Sequence, residues 1–407
     1  MNHFFKQKHP YLAIIAVFLV VLLLGLAQLG STVNPVPKNL PVLLVQADSG
    51  AKLPTGQEMN FGKTIQEKLT ATPAQSNTVS PLQWTILGSE QEAMDAMNRE
   101  QAYATIVIPA DFSSKLTSLL SPQPSPSMIT VYVNQGMNYN GATMANQVIS
   151  QMLSGINAQV REQLLNQLAG RSGATLTIEQ SKAFASPISV TTKTINTVGA
   201  NSSNGNAPMV LTQLAWFGAM VTTLLLYTAS QKAVQSGSRL HRLGIRAAQL
   251  VGGIVVTAAA AGSILLVTGQ WLGLSIPHTG QVFMFLFFAG FVFFLLQTAI
   301  VSWLGMAGVP LFVLVFFFGA PVLSLPPQLL PAFSHDWLYS WIPLRFSIEG
   351  LRDLFYFGQG LNISGPIWTL SSIGAVGIVL ILLSVLKKHR EPAAAKQIEK
   401  TSQIALG

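Results

Sequence analysis

The sequence predicts an α-helical polytopic membrane protein of six spans, with an exported α/β domain between the first and second spans. Three observations carry this. Half of the 407 residues are hydrophobic and only 9% are charged, against roughly 25% charged in an ordinary soluble domain. No Asp, Glu, Lys or Arg occurs from Ala247 to His335. Strand and helix patterns alternate only between the first apolar stretch and the second.

Six stretches are long and apolar enough to cross a hydrocarbon core about 30 Å thick: 11–30, 208–229, 248–269, 281–304, 306–324 and 366–386. The first, "YLAIIAVFLVVLLLGLAQLG", exceeds the roughly 7–15 apolar residues of a signal peptide. No convincing small-x-small cleavage pattern follows it in "QLGSTV", so it reads as a retained span. The turn around Gly305 to Gly308 is short, which makes the fourth and fifth spans an antiparallel hairpin.

The net charge of +8 would suggest nucleic acid if it were spread over one surface. Instead the excess sits in the N-terminal tail (Lys6, Lys8), the 230–247 loop (Lys232, Arg239, Arg242, Arg246) and the C-terminal tail (Lys387, Lys388, Arg390, Lys396, Lys400), with Glu391 and Glu399 the only acids there. Segment 31–207 balances ten basic against ten acidic residues. Lys and Arg accumulate on the cytoplasmic side of membrane proteins, so no nucleic acid is needed. The expected layout has a cytoplasmic tail at 1–10, a first span at 11–30 and an extracytoplasmic domain at 31–207. A five-span domain at 208–386 and a cytoplasmic basic tail at 387–407 complete it. The chain has no cysteine, so the exported part must hold together by its core alone.

Within 31–207, strands are expected at 40–46, 82–88, 103–109 and 128–134, and helices at 62–71, 89–100 and 110–120. The alternation implies a layered unit with parallel pairing. Ser89-x-x-Glu92 has the form of a capping box. From Asn138 to about Leu168 the pattern becomes one long helix, with Met144, Val148, Met152, Ile156 and Val160 repeating every four residues; it reads as a stalk. The 171–206 stretch reads as a connector back to the membrane.

No phosphate-binding loop, nucleophile elbow or metalloprotease motif occurs. The six histidines (His3, His9, His241, His278, His335 and His389) are scattered. The sequence therefore points to no enzyme, no metal and no cofactor. An ion-coupled carrier normally keeps ionisable side chains inside the membrane, and the uncharged run argues against one.

Two segments remain as candidate sites. In the cytoplasmic loop, a short helix from Ser238 would align Arg239, Arg242 and Arg246, with Leu240, Leu243 and Ile245 free to meet a partner or the bilayer. The same charges also serve as a topology signal. The second is "WIPLRFSIEGLRDLFYFG", Trp341 to Gly358, which brings Arg345, Glu349, Arg352 and Asp353 together. As a helix it places Leu344, Ile348, Leu351 and Phe355 on one face, and Arg345, Glu349 and Arg352 on another, where ion pairs one turn apart can form. With Trp337, Tyr339 and Trp341 before it, it reads as an interfacial helix: a simple anchor, or a lid over a substrate path.

Taken together, "LPVLLVQADSG", "NFGKTIQEKL", "LQWTILGSEQEAMDAMNREQAYATIVIPADFSSKL", "ITVYVNQGMNYN" and "IPLRFSIEGLRDLFYFG" resemble the YhgE/Pip group within the type-2 ABC exporter permeases. Pro343, Gly350 and Arg352 match the Pro…Gly-Leu-Arg signature between the fifth and sixth spans of such permeases. The resemblance implies a permease half that forms a homo- or heterodimer in the membrane and is driven by a separate ABC ATPase. It places ATPase docking on the loop holding Arg239, His241, Arg242 and Arg246, and the Trp341–Gly358 helices beside an exit path. The outer segment is shorter than in many of the group. The expected function is export of a hydrophobic or amphiphilic compound. The alternative is a membrane-anchored receptor, scaffold or secretion component that works through its exported domain.

Overall fold

The computed structural model describes Phe18 and residues 37–387, other than 53–57, 72–79, 122, 170–175, 234–237 and 362–363. The expected first span, apart from Phe18, and the tail beyond Lys387 lie outside the described residues.

The α/β unit is built around β1 (Leu40–Gln46). Its alternate side chains feed opposite faces: Leu40, Val42 and Leu44 enter one apolar core, Leu43 and Val45 another. A strand buried on both faces belongs in the middle of a sheet. It pairs in parallel with β4 (Leu82–Leu87) on one side and β5 (Ala104–Ile108) on the other. A two-stranded ribbon of β2 (Ala51–Lys52) and β3 (Glu58–Met59) stands apart. β6 (Ser127–Asn134) then runs antiparallel to β5, and β7 (Ile188–Ile195) parallel to β6. The sheet is mixed, in the order β4-β1-β5-β6-β7, where wholly parallel pairing was expected. β6 turns back along β5 even though a helix, Phe112–Ser118, lies between them in sequence.

Helix α1 (Phe61–Thr70) is capped by Asn60, whose side chain accepts from the Lys63 amide at 2.6 Å. In α2 (Glu90–Asn98) Ser89 caps Glu92, but the Glu92 carboxylate takes the Gly88 amide at 3.2 Å, so only half of the expected box forms. After α3 (Phe112–Ser118) comes the long helix α4 (Tyr139–Ala169). It is not a free stalk. Ala142, Ala145, Ile149, Leu153, Ile156, Val160 and Leu164 are buried in the same core as Leu40 and Ile106. Met144, Val148 and Met152 flank this stripe. Helix α5 (Ile178–Ala185) carries a complete capping box between Thr177 and Gln180. With β7 it occupies the stretch expected to be a connector; the mostly exposed edge strand "ISVTTKTI" has too few large apolar residues to announce itself.

The rest of the chain is a helical bundle: α6 (Ala207–Ala233), α7 (Arg239–Leu265, wound on to Trp271), α8 (Thr279–Leu304), α9 (Val309–Ser324), α10 (Pro343–Arg352) and α11 (Ser364–Leu383). Among the described residues four segments are long and apolar enough to cross a membrane: Ala207–Ala233, Arg239–Trp271, Thr279–Ser324 and Gly365–Leu386. The third has 46 residues and is broken at Gly305, whose φ of +67° suits glycine. There the chain reverses. Gly305 lies beside the Tyr227 hydroxyl and the Trp303 carbonyl accepts from Lys387, whereas the Ser324 carbonyl lies at the domain end and accepts from Asn140. The returning arm leans on α6, where the Trp216 indole donates to the Phe312 carbonyl at 3.3 Å and the Phe217 and Phe316 rings meet, tilted, at 4.5 Å.

Helix α8 is the bundle's core, buried from Val282 to Ser302 along most of its surface. Helix α7 approaches it where a Cβ on Gly253 would come within 2.1 Å of the Phe294 ring, and α10 where one on Gly350 would meet Phe285 at 2.2 Å. The packing of α4 generates a test. Ile149→Ala should lower the stability of the detergent-purified chain by about 2–5 kcal/mol, read as a fall in thermal midpoint. A midpoint unchanged from the parent would restore the free-standing stalk.

Candidate functional site at the seam between domain and bundle

Helix α10 opens with Pro343 at its first turn, where the missing amide costs nothing. It buries Leu344, Ile348 and Leu351, the face expected from the sequence. Ser347 meets Thr212 of α6 at 2.9 Å inside the bundle. On the other face the Arg345 guanidinium pairs with Glu349 at 2.6 Å and covers the Tyr339 ring at 4.2 Å. Gly358, at φ +61°, terminates the wider turn Asp353–Phe357.

Arg352 leaves its own helix. Its guanidinium donates to the Glu100 carboxylate at 3.1 Å and to the Met137 carbonyl at 2.9 Å, both in the α/β domain. The two side chains are 19% and 24% exposed, so this ion pair is largely shielded from water. Glu100 follows the end of α2 with φ +57°, an uncommon backbone setting for a side chain larger than glycine. Beside it the Tyr103 hydroxyl donates to Gln328 at 3.0 Å. Gly141 lets the domain sit close: a Cβ there would reach the Tyr103 ring at 2.7 Å and Pro326 at 2.8 Å.

These contacts enclose a cleft of about 310 Å³, with Glu100, Tyr103, Arg345, Glu349 and Asp353 on its polar side and Leu323 on its apolar side. Asp353 is buried. Burial, followed by the hydrogen bond and negative charge of Glu100, pushes its carboxyl up to about 8, although Arg352 pulls the other way. Burial alone would lower the Arg352 guanidinium, yet Glu100 holds it above its ordinary value. Burial raises the Tyr103 hydroxyl as well.

The expected seam residues do not all converge. Arg345, Glu349, Arg352 and Asp353 line the cleft, and Gly350 serves packing on α8. Trp341 points away, 54% exposed, its indole donating to the Trp337 carbonyl. Glu100 and Tyr103 were not legible as site residues. Nothing in "NREQAYA" marks them beyond a carboxylate just past a helix end.

At the opposite end of the bundle, Ser238 caps α7 by accepting from the His241 amide. Arg239 and His241 are exposed, and half-buried Arg242 donates to the Lys387 carbonyl at 3.3 Å. Arg246 departs from the expected surface row. It is buried, and its guanidinium binds Gln249 at 2.7 Å and Ser230 at 3.4 Å. Position 246 shares a face with Arg239, but two turns further on that face has entered the packing against α6.

A bundle of apolar helices carrying an α/β domain, with charged side chains gathered at the two ends, is the build of a multi-pass membrane transport subunit. Residues 11–386 match the family described as "ABC-2 family transporter protein", and the chain belongs to that family. Such proteins are the membrane subunits of transporters, are not enzymes themselves, and generally work with an ABC ATPase. The chain is also similar to "Uncharacterized protein YhgE" of Bacillus subtilis (strain 168), 24% identical over 124 residues. That stretch is 30% of this chain and 15% of the relative's length. No solved structure matches the chain.

Arg352 makes two of the seam's hydrogen bonds, to Glu100 and the Met137 carbonyl, and this orders the effects of mutation. Arg352→Met should lower the thermal midpoint more than Glu100→Gln, because it also strands the Met137 carbonyl. The double variant should reveal a coupling of about 0.5–3 kcal/mol. Strict additivity in the same detergent would show that the pair contributes nothing.

Proposed function

We propose that this chain is the permease subunit of an ABC-type exporter, moving a hydrophobic or amphiphilic substrate outward on ATP hydrolysed by a separate subunit. The carrying observation is that the α/β domain with its cleft, and the exposed basic start of α7, lie at opposite ends of one bundle. Positive charge gathers on the cytoplasmic side, so this reading puts Arg239, His241 and Arg242 inside and the domain outside. Residues 11–30 and both arms of the 279–324 hairpin, with Ala207–Ala233, Arg239–Trp271 and Gly365–Leu386, then make six spans, with two permease copies side by side.

In this reading the ATPase docks on Arg239, His241 and Arg242, with Arg246 acting from within to hold α7 against α6 and transmit movement. The absence of charge from Ala247 to His335 suits an apolar passenger whose transport is powered from outside the bundle. The cleft beside α10 is the exit, with Leu323 and Ile348 offering apolar wall and Arg345 and Glu349 a polar rim.

The test is a mild-detergent pull-down of the tagged chain from its native membrane, assayed for ATP turnover. The parent should recover an ATPase. Arg239→Glu with Arg242→Glu should lose it at unchanged yield of folded chain, whereas Arg246→Glu should reduce that yield. Unchanged ATPase recovery from the double variant would overturn the docking assignment. Repeated recovery without any ATPase, alongside cell-wall or secretion proteins, would favour a receptor or scaffold role for the domain.

A further inference from the structure

The seam contains more acid than base. Glu100 from the domain, with Glu349 and Asp353 from the bundle, share one cleft with only Arg345 and Arg352. Arg345 is committed to Glu349, and Arg352 to Glu100 and the Met137 carbonyl. Among the described residues Asp353 is left with no cation of its own; it is buried and lines the same cleft as Glu100. Two carboxylates that share a site and one guanidinium repel each other when both are ionised, which favours a proton on the buried Asp353.

The geometry points to Glu100 and Asp353 as a proton-binding carboxyl pair that latches the α/β domain onto the bundle. In the latched state the protonated Asp353 carboxyl donates to Glu100, which also accepts from Arg352. Every member of the cluster is then satisfied and the local charge is zero. When the proton leaves, two adjacent carboxylates compete for one guanidinium across the seam, and the domain side is pushed off. The other titratable groups facing the pair are Tyr103 from the domain, Tyr339 from the preceding segment and Tyr356 from the following turn. Burial raises all three hydroxyls, so they stay neutral over the same range. His335 and Asp336 bond to each other on the exposed side.

The sign follows from the raised carboxyl. A group held above its ordinary value in the folded state stabilises that state at low pH, and loses this contribution as pH rises through the folded value. For Asp353 that value is about 8. The latch is therefore closed at pH 6 and opens towards pH 9. The inference does not rest on the transport reading, because it concerns only how two parts of one chain hold together.

The chain contains no cysteine, so a single introduced thiol reports cleanly. Leu323→Cys places one in the cleft, where the native side chain is 8% exposed. Ser154→Cys, on the exposed side of α4, corrects for the pH dependence of the thiol itself. The rate of labelling by a charged maleimide, taken as the ratio of the two sites in the full detergent-purified chain, should rise several-fold from pH 6 to pH 9. In an Asp353→Asn background the ratio should stay low throughout, since the amide donates to Glu100 at every pH. A flat ratio in the parent, or an equal rise with Asp353→Asn, would overturn the latch. Should Leu323→Cys fail to fold, Leu325→Cys in the same cleft gives the same readout.

Discussion

A guanidinium shielded from water has to find acceptors and negative charge, and Arg352 finds both on a different part of the chain. Its hydrogen bonds to Glu100 and the Met137 carbonyl tie the domain to the bundle through a largely shielded charge. Burying such a pair is costly unless the remaining donors and acceptors are satisfied, and much of the neighbourhood is, although the Tyr356 hydroxyl is buried without a partner. Arg345 is paired within its own helix, Tyr103 bonds Gln328, and Gly141 allows the close approach that keeps water out. The charged helix that interrupts an otherwise uncharged run is therefore a joint. Its apolar face belongs to the bundle, and one of its charges reaches across to the domain.

Behind the joint the bundle is held by uncharged groups. Thr212 meets Ser347, Thr223 meets Thr298 at 3.3 Å, and the Gln297 amide donates to the Trp216 carbonyl at 3.3 Å. Such contacts, with glycines that let helices approach, are how helices associate where lipid removes the usual hydrophobic incentive. Among the described bundle residues the buried charges, Arg246 and Asp353, lie at its two ends.

Much of this was legible in the sequence. The apolar stretches, the first four strands of the sheet and the amphipathic face of α10 follow from periodicity, because burial on one or both faces writes itself directly into residue order. What failed was long-range. The every-four-residue repeat in α4 holds at Ile156 and Val160, but in the first half of the helix the buried stripe lies one position over, on Ala145, Ile149 and Leu153, where a small alanine hides a packed face. Strand β7 was missed because an edge strand needs few apolar residues. Arg352 looked like one of several possible pairs within its helix; its true partner lies 252 positions away, and no local pattern records that. Arg246 failed for a related reason: helical periodicity gives a face but not the depth at which that face is covered.

The central claim is that the seam around Arg352 fixes the α/β domain on the bundle. The most direct measurement is the distance distribution between spin labels on Ser154→Cys in the domain and Ser263→Cys on the exposed face of α7, in lipid nanodiscs at pH 6. The parent chain should give one narrow distribution, broadened by Arg352→Met while the helical content stays constant. A distribution already broad in the parent, or one that Arg352→Met leaves unchanged, would contradict it.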